Sequence, residues 1–232
     1  MPRIGMETIR RETLIRATIA EIGRVGSLDV TVGRIAARAG VSAALAHHYF
    51  GSKDQIFLAA MRHILREFGA SVRERQRAAT GPAARIRALV EASFSGEQFD
   101  RECVASWLAF YVLAQTAPEA ARLLRVYARR LDSNLVHDLR PLVGEAEARR
   151  IAQGIASMID GLYIRCALQD RAPDAEEAKR LTLDYLDLSL AACAARTRPA
   201  PGGAGAALPA SSTAQGAPSP RTASDSRRLP AE

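Results

Sequence analysis

Lysine is nearly missing from this chain: of its 32 basic residues, all but Lys53 and Lys179 are arginine. The bias points to a GC-rich, bacterial genome. Cysteine is scarce as well. Cys103, Cys166 and Cys193 lie far apart with no Cys-x-x-Cys pair, which argues against a disulfide framework and for thiols used as small apolar residues in a reducing compartment. Long hydrophobic runs are lacking too. The most apolar stretch, Val104 to Ala114, is too short to cross a bilayer, and the charged N-terminus from Arg3 onward has no signal-peptide character. The expectation is a soluble cytoplasmic protein that does not contact membrane. Catalytic motifs are equally sparse. No glycine-rich phosphate loop, serine elbow or paired carboxylates stand out, so neither an enzyme nor a cofactor is expected. His47, His48, His63 and His137 fit no ligand spacing, and adjacent histidines on a helix point about 100° apart, so no metal site is expected. Strand-like alternation never lasts more than a few residues. The fold class is therefore all-α.

What the sequence does contain is enough for a core. Of 232 residues 48% are hydrophobic, which suits one or two domains. The net charge of +7 favours a polyanionic partner. That excess is spread out: residues 1–55 hold eight Lys/Arg against five Asp/Glu, and the segment from Arg196 onward holds five against two.

The stretch from Thr31 to Phe50 reads as a helix-turn-helix. Thr31 can cap a first helix whose Ile35, Ala36 and Ala39 share a face. Gly40 suits the left-handed residue past its end, and Val41 plugs the turn. Ser42 then caps a second helix from Ala43 to Phe50. Ala43 and Ala44 would let its backbone approach a surface closely, while His47, His48 and Tyr49 offer donors and ring faces. This is the geometry that places one helix in a major groove. Ser52-Lys53-Asp54-Gln55 has the form of a capping box, which puts Lys53 in a first helical turn where a phosphate could sit. The candidate DNA contacts are Thr31, Ser42, Ala43, Ala44, His47, His48, Tyr49 and Lys53. On pattern alone, a helical hairpin within a core reads equally well.

Helical spacing predicts further helices on either side. One runs from Glu7 to Val25, and a long one starts at Ser52 and ends before Gly81-Pro82. Pro82 opens the next, with Ile86, Leu89, Val90 and Phe94 inward, and Gly96 to Asp100 reads as a loop. Glu102 to Gln115 follows, holding the single tryptophan. Thr116 with Glu119 has the form of a second capping box, opening a helix to about Leu139 before Pro141. The last two run from about Glu145 to Leu168 and from Asp174 to Ala195. From residue 196 onward the chain is rich in Pro, Gly, Ala and Ser and reads as a disordered tail.

Trp107, Phe110 and Tyr111 fall at i, i+3 and i+4 and share a face. By pattern alone a core stripe is the better reading. Asp160 and Tyr163 form a second group on the penultimate helix, and an acid beside a ring inside a helical body calls for a partner. A quaternary ammonium ion would suit, because ring faces and a carboxylate attract it while it makes no hydrogen bonds. Ile151, Ile155, Met158 and Leu162, then Leu181, Tyr185 and Leu188, make the last two helices amphipathic. They could pack on their own domain or pair with a twin chain, and Gly154 would permit close approach.

Thr31, Ile35, Ala36, Ala39-Gly40-Val41-Ser42, Tyr49-Phe50 and Lys53, near the N-terminus and followed by a larger helical body, resemble the TetR family of transcriptional regulators. The opening PRIGMETIRRETLIRATI, Trp107-Leu108-Ala109-Phe110, Arg129-Arg130-Leu131 with Ser133-Asn134-Leu135, and Ile159-Asp160-Gly161-Leu162 look like that family's choline-responsive repressors of glycine betaine synthesis. The likeness covers residues 1 to 192. It implies a DNA-binding domain over residues 1–51, a ligand-binding and dimerisation domain over 52–195, and a tail over 196–232 outside the resemblance. It further implies a homodimer through the last two helices, a palindromic double-stranded operator, and choline as the inducer held by Trp107, Phe110, Tyr111, Asp160 and Tyr163. The genes controlled would be those for choline uptake and glycine betaine synthesis. Tyr163 departs from the tryptophan the resemblance leads one to expect. A TetR-type regulator with a drug or acyl inducer, or a helical protein-interaction module, are the alternatives.

Overall fold

The computed structural model describes residues 3–96 and 98–197, which form nine α-helices and no strand among the described residues. In chain order these are α1 Arg3–Val25, α2 Val32–Arg38, α3 Ala43–Phe50, α4 Lys53–Ala78, α5 Pro82–Ser93, α6 Arg101–Leu113, α7 Pro118–Val143, α8 Glu145–Ala167 and α9 Ala175–Thr197. The expected tail lies outside the described residues except for Arg196 and Thr197, which extend α9 past the expected end at Ala195.

Two hydrophobic clusters organise the helices. The smaller unites Leu14 and Ile22 of α1, Val30, Ile35 of α2 and Ala46 of α3. The larger runs through α5 to α9, with Leu89, Phe94, Phe110, Leu135, Ile151 and Ile155 almost fully buried. Helix α4 serves both. Ile56 and Phe57 of its first turn belong to the small cluster, whereas Leu58, Met61 and Ile64 belong to the large one. Helix α6 also spans them, since Ala109 joins the small cluster while Trp107 and Phe110 join the large one. Any shift of α4 or α6 is therefore felt in both cores, because close-packed interiors transmit displacement.

Local chemistry explains the boundaries. Thr31, Ser42 and Ser52 each accept a hydrogen bond from the backbone N–H three residues on, at 3.2–3.3 Å. After α2 the chain makes a Schellman turn: Gly40 sits at φ 67°, Gly40 N–H reaches the Ala37 carbonyl and Val41 N–H the Ala36 carbonyl. Asp100 caps α6 by accepting from Cys103 N–H at 2.7 Å.

Three expectations change. The Ser52 box is only half made, because Gln55 donates across to Glu119 of α7 instead of back to its own cap. The second box does not form. Ala117 occupies the N-cap of α7, and the Thr116 hydroxyl turns back to the Leu113 carbonyl. Helix α7 also continues through Pro141 to Val143. Proline forfeits one N–H but keeps a helical φ, and Gly144 N–H closes the end on the Arg140 carbonyl. Gly154 does permit close approach, and within the chain: a Cβ there would collide with the Tyr185 hydroxyl of α9.

Candidate DNA-reading helix and aromatic cage

Helix α3 is short and holds on by one face. Ala46 is fully buried in the small core, and Leu45, Tyr49 and Phe50 are half-buried. Ser42, Ala43, Ala44, His47 and His48 are all exposed. The structure thus brings the small alanines and both histidines onto the free side of one helix. His47 Nδ1 lies 3.1 Å from the Gly51 carbonyl, and the His48 and Tyr49 rings are 5.6 Å apart. Thr31, exposed at the start of α2, and Lys53, half-buried at the start of α4, flank that face in sequence. The Lys53 ammonium sits 5.4 Å from the centre of the Phe57 ring, whose negative face steadies it.

Sequence reasoning missed what fixes α3 in place. Arg11 of α1 donates to the Tyr49 carbonyl at 2.7 Å, and its guanidinium stacks 4.6 Å from the Phe50 ring centre. A cation on the last carbonyls of a helix satisfies unpaired acceptors and opposes the helix dipole. No local pattern announces this contact, because 38 residues separate the partners. Glu21, buried on α1, plays a similar part for α2. Its carboxylate meets Arg38 at 2.7 Å, Arg24 at 3.0 Å and Arg34 at 3.6 Å. Hydrogen bonding from Arg38 first, then the charge of its neighbours, holds its pKa below the usual carboxylate range against the opposing effect of burial.

The second site lies in the body. Trp107 of α6 is 4% exposed and Phe110 1%. Tyr111, one turn on, is half-buried and donates its hydroxyl proton to Asp160 of α8 at 2.9 Å. Around Trp107 stand Tyr111 at 5.8 Å, Tyr163 at 6.0 Å and Phe110 at 6.4 Å between ring centres. Tyr127 of α7, which sequence reasoning did not single out, comes nearest at 4.8 Å. Its signal was the helical spacing of Leu123, Tyr127 and Leu131, within a helix to which sequence reasoning assigned no face. Rings and carboxylate thus converge from α6, α7 and α8. Tyr163 is the back wall: its hydroxyl donates within reach of the Ser93 and Gln98 carbonyls, at 2.6 and 2.9 Å, and its ring packs on Phe99 at 4.9 Å.

The electrostatics fit a cation. Burial pushes the Asp160 pKa up, partly opposed by the Tyr111 hydrogen bond. Burial and then the Asp160 carboxylate push Tyr111 and Tyr127 well above the usual phenol range, which keeps both hydroxyls neutral. A half-buried carboxylate whose neighbours here, Tyr111 and Tyr127, are neutral phenols has unspent attraction for positive charge. Among the described residues, the buried Trp107 indole N–H has no hydrogen-bond partner, nor has the Ser106 hydroxyl. Beside this cluster, not inside it, a cavity of about 730 Å³ opens between α4 and α7, and Tyr127 is the ring the two share. None of Trp107, Phe110, Tyr111, Asp160 and Tyr163 lines that cavity.

Comparisons with known proteins agree on one assignment. The model of the BetI-type transcriptional repressor C-terminal region matches residues 82–191, and that of bacterial regulatory proteins of the tetR family matches residues 14–60. An HTH-type transcriptional regulator BetI from Brucella suis biovar 1 is 55% identical over 190 residues, spanning 82% of this chain and 96% of the relative. One from Agrobacterium fabrum is 48% identical over 190 residues, spanning 82% and 92%. Among solved structures, a transcriptional regulator from Saccharomonospora viridis in complex with choline superposes with a TM-score of 0.69 at 21% identity, covering 78% of this chain and 96% of that one, a likeness of fold. These relatives are regulators and not enzymes. The chain therefore belongs to the TetR family of transcriptional regulators, as a BetI-type repressor.

Proposed function

We propose that this chain is a homodimeric repressor of genes for choline uptake and glycine betaine synthesis, which grips a palindromic operator when empty and releases it when choline fills the cage. The observation that carries the inducer is the convergence of Trp107, Tyr111, Tyr127 and Tyr163 with the Asp160 carboxylate. The BetI name of the relatives and the choline bound to the Saccharomonospora viridis regulator support the same reading. Choline is a compact quaternary cation, and ring faces with one negative charge replace its water without asking it for hydrogen bonds.

Residues 1–51 read the DNA and 52–195 bind the ligand and a second chain, with α4 as connector. Ala43, Ala44, His47, His48 and Tyr49 approach base edges in the major groove, while Thr31, Ser42 and Lys53 lie on phosphates. The dimer forms through α8 and α9, where Leu168 is 74% and Leu188 72% exposed in the single chain. Two heads on one duplex double the contacts that so short a helix can make. Such a repressor works in the bacterial cytoplasm, where its operator is.

Release follows from the closed state of the cage. With Trp107 and Tyr127 in ring contact at 4.8 Å, a cation must wedge them apart. Trp107 rides on α6, whose Ala109 is embedded in the head core and whose Glu102 packs on Gly23 of α1. Tyr127 rides on α7, which faces α4 across the cavity. Spreading the rings shifts α6, which is planted in the head core, and α7, which faces α4, so choline binds the released state better than the DNA-bound one. The test is a choline titration of the single tryptophan's fluorescence, beside a neutral isostere with carbon in place of nitrogen. Saturable quenching by choline alone is expected; equal response to the isostere would exclude a cation cage.

A further inference from the structure

The cavity between α4 and α7 has a chemistry opposite to that of the cage. Its walls are mainly apolar, with Leu65, Phe68, Leu89, Leu123 and Leu131 beside the amides of Gln76 and Asn134. Four guanidiniums stand on its lining, from Arg62, Arg66 and Arg73 of α4 and Arg130 of α7. No carboxylate lies on that lining. Among the described residues Arg66, Arg73 and Arg130 have no ion-pair partner within 4.0 Å, and Arg62 has only a long one, 3.9 Å to Glu119. Four like charges around one opening repel one another as well as any cation, choline included. At about 730 Å³ the space falls within the range, about 300–1,000 Å³, of pockets that enclose small organic ligands.

We propose that this cavity is a second effector site, for a single-chain amphiphile with a carboxylate headgroup. The chain would lie along the leucines and Phe68, and the headgroup would take the arginine fork geometry that suits a carboxylate. The class follows from charge: apolar walls alone accept any hydrocarbon, but only an anion relieves the clustered guanidiniums. The site also has a route to the DNA head. Arg62 and Gln55 share one Glu119 oxygen, at 3.9 and 3.1 Å. Gln55 lies in the first turn of α4, two residues after Lys53. A carboxylate that draws Arg62 away from Glu119 loosens the tie between α7 and the start of α4, which lowers operator affinity without choline. Tyr127, ringed by Trp107 on one side and Phe68 at 6.0 Å on the other, makes the two sites neighbours but not one site.

The proposal is tested on the full chain with dodecanoate below its micellar concentration, in the absence of choline, so that it stands or falls apart from the choline reading. Equilibrium binding should give one dodecanoate per chain, and dodecylammonium should bind at least about tenfold more weakly. Replacing the exposed Arg66 and Arg130 together by Gln should erase most of that difference while leaving the melting temperature unchanged. Dodecanoate should also weaken operator binding in an anisotropy titration. Equal binding of the two amphiphiles, or undiminished dodecanoate binding by the double variant, overturns the site. Tighter binding of dodecyl phosphate than of dodecanoate overturns the carboxylate assignment, and binding without a change in operator affinity overturns the effector role.

Discussion

The two sites of this molecule are built on opposite principles. The face of α3 proposed to read DNA is made of what is missing: Ala43 and Ala44 are small and exposed, and the helix is held by buried Ala46, by the Ser42 cap and by Arg11 on its last turn. The cage is made of bulk. Trp107, Tyr127 and Tyr163 fill it with their own rings, and only Asp160 leaves a charge unanswered. In the proposed reading, the face that meets a rigid duplex is open and preorganised, and the site that reports a ligand is closed, so that filling it has to move something. Helices α4 and α6, each planted in both cores, would carry that movement.

The largest expected effect attacks the join between the regions. A Cβ on Gly23 would lie 2.6 Å from the Glu102 Cα, so backbone as well as side chain must shift. Gly23→Ala should cost about 1–3 kcal/mol of stability by overpacking and blunt operator release, seen in thermal melting and choline-driven anisotropy changes. Gly154→Ala makes the control, since there the obstruction is the end of the Tyr185 side chain, which can swing aside; its melting temperature should fall less.

Next in size is the loss of the counter-charge. Asp160→Asn should weaken choline binding by about tenfold while leaving the protein as stable or more so at neutral pH. The sign follows from burial: a carboxyl whose folded pKa is raised favours the folded state at acid pH, and that contribution is lost as pH rises through the raised pKa. Choline affinity runs the other way. It should fall on acidification, beginning at a pH above the usual carboxylate range, and the Asn variant should show no such dependence in a fluorescence titration.

The smallest effects belong to the head. Lys53→Ala should weaken binding to specific and random duplexes alike and reduce the salt slope by about one. His47→Ala should change which sequence is preferred, read from competition with single-base variants of the operator. If both substitutions lowered all affinities equally, His47 would be another phosphate contact and α3 would not be reading bases.

How much of this was legible in the sequence follows the same division. The head could be read because its signals are local: Thr31, Gly40, Ser42 and Ser52 each act on residues within three or five positions. In the body, Trp107, Phe110 and Tyr111 were legible as one helical face and Asp160 and Tyr163 as a second group, but Tyr127 and the bonds that join the groups were not. Tyr127 lies on a different helix, and the Tyr111–Asp160 bond spans 49 residues. The Thr116 box failed for a related reason. Its Glu119 is taken up by Gln55 and Arg62 of α4, a tertiary contact that outweighs the local motif. Pro141 set the expected end of α7 at about Leu139, short of the observed Val143, because a proline near a helix terminus forfeits little.

Cage and operator are, on this reading, coupled through the helices they share, and coupling is reciprocal. The direct test is the choline dissociation constant, measured by Trp107 fluorescence on the free protein and again with saturating operator duplex. Choline should bind the DNA-bound protein more weakly, by the same factor by which choline lowers operator affinity. An unchanged dissociation constant would mean that the closed cage and the reading helix ignore each other.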